Sequence, residues 1–122
     1  MGKNIAFEKS LDFAVRIVEL SDFLQNTYHD LVISRQILKS GTSIGANMRE
    51  SQNAQSIDDF ISKLSISLKE ANETHYWLEL LYRARKINED YYTSMTHDLE
   101  EITAILVSSI KKSKNNKKLS SL

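Results

Sequence analysis

The sequence predicts an all-α protein, an antiparallel up-down-up-down four-helix bundle. Three observations lead there. Proline is absent and glycine occurs only three times in 122 residues. Apolar residues recur at the three- and four-residue steps of a helix over four long segments. Only a few residues separate one segment from the next, which forces neighbouring helices to run antiparallel. A β-rich chain of this size would need many turns and their Gly, Pro and Asn-Gly signals, and these are missing.

The first helix is expected to begin between Ile5 and Leu11, with Asn4 or Ser10 as its cap, and to end near Thr27. It carries one stripe of Phe13, Ile17, Leu20 and Leu24 and a second of Leu11, Ala14, Val15 and Val18, so a wide buried face is expected. The second helix is placed at about residues 30–54, with Ile33, Ile37, Ile44 and Met48 inward and Leu31, Leu38 and Gly45 alongside. In the third, Ile57, Ile61, Leu64, Leu68, Ala71, His75, Leu78 and Tyr82 alternate steps of four and three, a coiled-coil-like seam. Ser56 followed by Asp59 has the spacing of a capping box, with Asp in place of Glu or Gln. Arg83, Arg85 and Lys86 suit the negative end of that helix's dipole, and Glu89 and Asp90 suit the positive end of a fourth helix capped by Asn88. The fourth core stripe is Tyr92, Met95, Leu99, Ile102, Leu106 and Ile110.

Residues 1–110 thus form the bundle, and residues 111–122, rich in Lys, Ser and Asn, are expected to be a basic disordered tail. The formal charge is zero, but the last twelve residues hold five lysines and no acid. The remaining body has 11 basic against 16 acidic side chains, a net −5. Cysteine is absent, which excludes disulfides, thiolate metal sites and cysteine nucleophiles. Glu8, Lys9 and Asp12 interrupt any candidate signal-peptide core, and no apolar run approaches the ~18 residues of a membrane span. A soluble cytoplasmic protein without membrane contact is expected.

The segment "SGTSIGANMRE", residues 40–50, sets Gly41 and Gly45 one turn apart. A Walker loop needs G-x-x-x-x-G-K-[ST] and a dinucleotide fingerprint needs a third glycine after a strand, so neither phosphate-binding reading fits. On one helical face, with Ser40, Thr42 and Ala46 beside them, the two glycines instead allow another backbone to approach closely. The spacing leaves open whether that partner belongs to the same chain or to another copy.

The run "SRQILKSGTSIGANMRES", followed by "DDFISKLSISLKEANETHYWLELL", resembles the four-helix-bundle family of 23S rRNA intervening-sequence proteins. The resemblance spans roughly residues 13–110. It implies small bundles that assemble as ring-shaped homopentamers and have no established catalytic activity. Distantly similar proteins, the accessory variability proteins of diversity-generating retroelements, imply a basic pentamer that holds nucleic acid and a reverse transcriptase. The net-acidic body here departs from those distant relatives, and the chain lacks the proline that members of the 23S rRNA intervening-sequence family often carry between the first two helices.

No catalytic, cofactor or metal residues are assigned. The di-iron Glu-x-x-His pattern is missing, because Asn26, Asn72 and Ser94 precede the three histidines by three residues. Glu70 with Glu73 and Asp98 with Glu101 imitate the acid pairs of helical nucleotide hydrolases only loosely, and metal-dependent hydrolysis ranks third among the readings. The leading reading is a non-enzymatic homo-oligomeric module that binds RNA or a nucleic-acid-associated protein. Its candidate contacts are Arg35, Lys39 and Arg49 on the second helix and Lys111, Lys112, Lys114, Lys117 and Lys118 in the tail. The competing reading is an assembly or scaffold protein with no nucleic-acid role. Phe60, Trp77 and Leu81 lie off the main seam of the third helix, where they extend either the core or a subunit interface, and His75 is a core or interface residue.

Overall fold

The computed structural model describes residues 4–122, which form α1 (Ile5–Tyr28), α2 (Val32–Ser51), α3 (Ile57–Arg83) and α4 (Glu89–Ser120). There are no strands among the described residues. Each helix packs antiparallel against the next in sequence, and α4 returns beside α1.

Local chemistry sets most of the ends. Asn4, Ser56 and Asn88 cap α1, α3 and α4 by accepting hydrogen bonds from the backbone N–H of Phe7, Asp59 and Tyr91, at 3.0, 3.0 and 2.8 Å. Asp59 reaches back to the N–H of Gln55 rather than to that of Ser56, so the capping box is closed one residue further out. α2 begins two residues later than expected because Asp30 stays outside it, its carboxylate accepting from the N–H of Ile33 at 2.9 Å. Between α3 and α4 the chain turns through Arg85, whose φ of 63° is left-handed. There Lys86 N–H bonds to Leu81 C=O at 2.9 Å and Arg85 N–H to Tyr82 C=O at 3.0 Å, a Schellman motif built without glycine.

The core runs the length of the bundle through Phe13, Ile17, Leu20 and Leu24 of α1, Ile37, Ile44 and Met48 of α2, and Met95, Leu99, Ile102, Leu106 and Ile110 of α4. Two packing expectations need correction. On α1 only one stripe is buried, and Leu11, Val15 and Val18 remain 46, 55 and 44% exposed. On α3 the innermost line is Leu64, Ser67, Ala71, Thr74, Leu78 and Leu81, displaced from the expected seam. The reason is that α3 has two neighbours. Toward α2 it presents Ser67, whose hydroxyl donates to Ile44 C=O at 2.7 Å, and Thr74, which donates to Ser40 Oγ at 2.9 Å. Leu68, His75 and Tyr82 are only half-buried, and Tyr82 stacks on Tyr92 of α4 at 4.6 Å between ring centroids. Leu81, expected as either core or interface, is fully enclosed and belongs to the core.

The glycines lie where α1 and α2 meet. A Cβ on Gly41 would stand 2.7 Å from Cγ1 of Ile17, and one on Gly45 would stand 2.9 Å from Oγ of Ser10. The expected disordered tail is also corrected, since α4 continues to Ser120. Residues 111–120 contain no glycine or proline to stop a helix, and their lysines complement the negative end of its dipole. Lys117 also pairs with Asp58 at the start of α3.

Two stability measurements follow by urea denaturation. Gly41→Ala meets the branched body of a fully buried isoleucine, so overpacking of ~1–3 kcal/mol outweighs the ~1 kcal/mol gained in helix propensity, and the variant is less stable than wild type. Gly45→Ala meets only a serine hydroxyl and stays within about 1 kcal/mol of wild type. Leu81→Ala costs ~2–5 kcal/mol as a core deletion, whereas Val32→Ala stays within about 0.5 kcal/mol because Val32 is 73% exposed.

Candidate nucleic-acid interface

The eight cations singled out in the sequence do not form one patch. Arg35 and Arg49 both lie on the exposed side of α2, but fourteen positions apart, about 21 Å along the axis. Lys39, between them, lies close enough to Glu70 of α3 for its charge to act on that carboxyl group. The guanidinium of Arg49 sits 4.5 Å above the ring of Phe7. The basic edge of α2 is therefore interrupted, one member standing beside an acid and another stacked on an aromatic face.

The five lysines of the C-terminal segment are better organised. Lys111, Lys112, Lys114, Lys117 and Lys118 are all exposed on the last turns of α4, and no acidic residue follows Glu101 in the chain. Antiparallel packing of α1 brings Lys9 opposite Glu101 and Arg16 opposite Asp98, so α1 begins well before α4 ends and leaves these turns uncovered on that side. Beside them a cleft of about 430 Å³ is lined by Gln52, Gln55 and Ser56 of the α2–α3 connection, Phe60 of α3, and Ser113 and Asn116 of α4. Arg49, near the end of α2, belongs to this same end of the bundle. The structure thus groups Arg49 with the lysines and leaves Arg35 and Lys39 further along α2.

The lysines fall on different sides of α4. Lys111, Lys114 and Lys118 follow one helical face and, with Leu68, Val107 and Ile110, line a groove between α3 and α4 of about 390 Å³. Lys117 points instead toward the start of α3, where it meets Asp58. On a disordered tail the lysines form one charge block without faces, and their i, i+3, i+7 spacing separates them into faces only because residues 111–120 are helical.

Of the remaining candidates, Phe60 is half-buried at the wall of the cleft, and His75 is half-buried in a smaller depression between α3 and α4 with Asn72, Glu100 and Thr103. Trp77 is half-buried with its ring edge-on to Tyr76 at 5.0 Å, and its indole N–H is enclosed without an acceptor among the described residues.

The two acid pairs have separate environments. Asp98 accepts a hydrogen bond from Arg16 at 2.6 Å. Glu101 is held by Lys9 at 2.8 Å and lies 2.8 Å from His97, and the Lys9 ammonium keeps its carboxyl below the usual range while its own pKa is raised in return. Burial, with Glu73 beside it, pushes the Glu70 carboxyl upward, and one of its oxygens is enclosed without a partner among the described residues. One pair therefore faces α1 cations and the other lies beside Lys39 of α2. Among the described residues no three His, Asp or Glu side chains gather to hold a metal ion. No described helix is long and apolar enough to cross a membrane.

No curated protein matches the sequence. Among solved structures, the chain is similar to a protein of unknown function from the S23 ribosomal protein family of Bacteroides thetaiotaomicron VPI-5482. The two are 57% identical, the alignment covers 87% of this chain and 98% of that one, and the TM-score is 0.86. The family described as 23S rRNA-intervening sequence protein matches residues 2–108, nearly the whole bundle with both motif runs and the α1/α2 and α2/α3 contacts built on them. The chain belongs to the 23S rRNA-intervening sequence protein family.

Proposed function

We propose that this protein is a non-enzymatic, homo-oligomeric helical module that binds a macromolecule through its lysine-bearing end, with RNA or a ribonucleoprotein as the partner. The observation that carries the reading is the C-terminal part of α4, where five exposed lysines are mounted on a helix with no neighbouring acid in sequence. A helical mount fixes their spacing, which lowers the entropy lost when they meet a phosphate chain. Residues 111–122 include no aromatic side chain, so base stacking is not available there and the contact is to the backbone, independent of sequence. The family's name, which refers to intervening sequences of 23S rRNA, supports the same partner class. The pairing of Asp98 and Glu101 with Arg16 and Lys9 favours a structural role for those acids over a catalytic one.

A second reading, an assembly protein with no nucleic-acid role, is favoured by the exposed apolar stripe of α1. Titration of labelled single-stranded and structured RNA separates the two. Full-length protein with all five lysines contacting phosphates is expected to lose about 100-fold in affinity for single-stranded RNA between 50 and 200 mM salt, from a slope of about −0.7 per contact. Replacing Lys111, Lys112, Lys114, Lys117 and Lys118 with glutamine abolishes that binding. Binding that survives the replacement moves the site to Arg35, Lys39 and Arg49, and the absence of binding by wild type at low salt removes RNA in favour of the assembly reading.

A further inference from the structure

The outward face of α1 combines exposed apolar side chains with charges of one sign. Leu11, Val15 and Val18 lie at i, i+4 and i+7, and Asp22 continues the line. Glu8, Asp12 and Glu19 flank it on the side toward α4. The described cations of α1 are Lys9 and Arg16, and both are turned onto α4, where Glu101 and Asp98 bind them. What remains for solvent is an apolar line bordered by carboxylates. Arg49 of α2, seated on Phe7, stands at the N-terminal end of this face.

The α3/α4 groove has the opposite character. Its floor is Leu68, Val107 and Ile110, with Val107 49% exposed, and its wall is Lys111, Lys114 and Lys118. An apolar line edged by acids matches an apolar floor edged by lysines in hydrophobicity and charge.

We propose that these two surfaces bind each other between copies of this chain, α1 of one copy lying along the α3/α4 groove of the next. The two patches are different surfaces of the molecule, so the contact is head-to-tail and leaves one free patch of each kind until a ring closes. It rests on the homo-oligomeric part of the proposed function, and it makes self-association and phosphate contact compete for Lys111, Lys114 and Lys118.

Charge reversal with complementation tests the pairing on the full chain. One variant carries Lys111→Glu, Lys114→Glu and Lys118→Glu, and a second carries Glu8→Lys, Asp12→Lys, Glu19→Lys and Asp22→Lys. Circular dichroism confirms that each is folded, and sedimentation velocity reads assembly at equal protein concentration. Wild type is expected to sediment as an oligomer that weakens with salt, each variant alone as a monomer, and an equimolar mixture of the two as dimers or larger species of alternating copies, in which every contact pairs opposite charges. Val15→Asp alone also gives a monomer. A monomeric wild type overturns both self-association and this interface. Oligomers of the lysine-reversed variant like those of wild type, or a mixture that fails to reassemble, overturn this interface alone. RNA titration of the α1-reversed variant, whose lysines are intact, reads the nucleic-acid proposal separately.

Discussion

The close approach of α1 to α2 is the constraint on which the arrangement depends. Gly41 and Gly45 leave room for Ile17 and Ser10, and Ser21 and Ser34 complete a line of small side chains along the same contact, with Ser21 Oγ donating to Ser34 C=O at 3.3 Å. Interior glycines cost helix stability, about 1 kcal/mol each relative to alanine, and the burial of Ile17, Leu20 and Leu24 against α2 offsets that cost. Ser40 shares this segment and faces the other way, toward Thr74 of α3. A single short stretch of α2 thus fixes two helix contacts.

The consequence for α1 is rotational. With Ile17 and Ser10 held against the glycines and Lys9 and Arg16 drawn to Glu101 and Asp98, the helix has no freedom to turn Leu11, Val15 and Val18 inward. Exposed hydrophobic residues scattered singly need no explanation, but three in register on one face form a patch. The same ion pairs turn the basic charges of α1 toward acids of α4, so the outward face becomes acidic although the helix as a whole carries both signs. The rotation that buries the core is also what creates the surface.

At the other edge of the molecule, α4 outlasts α1. Its last turns lie against α3, through Ile110, Leu68 and the pair between Lys117 and Asp58. An isolated segment of this length would be marginal as a helix, but continuation from an already formed helix avoids the cost of nucleation. Lysines that would be a diffuse cloud on a disordered tail become two differently directed sets, and charge becomes geometry.

The sequence alone determined the helix count, the caps at Ser56 and Asn88, the core stripe of α4, the family resemblance and the meaning of the glycine pair as a close contact, because each depends on residue type and spacing within one segment. Tertiary structure decided which helix the glycines meet, which side of α3 is innermost, where Leu81 belongs, and whether the lysines share a face. Periodicity reports that a helix has an apolar side but not how many neighbours it has. With two neighbours, α3 accepts Ser67 and Thr74 in its innermost line because hydrogen bonds to α2 satisfy them, and no hydropathy pattern records a bond to a residue more than twenty positions away.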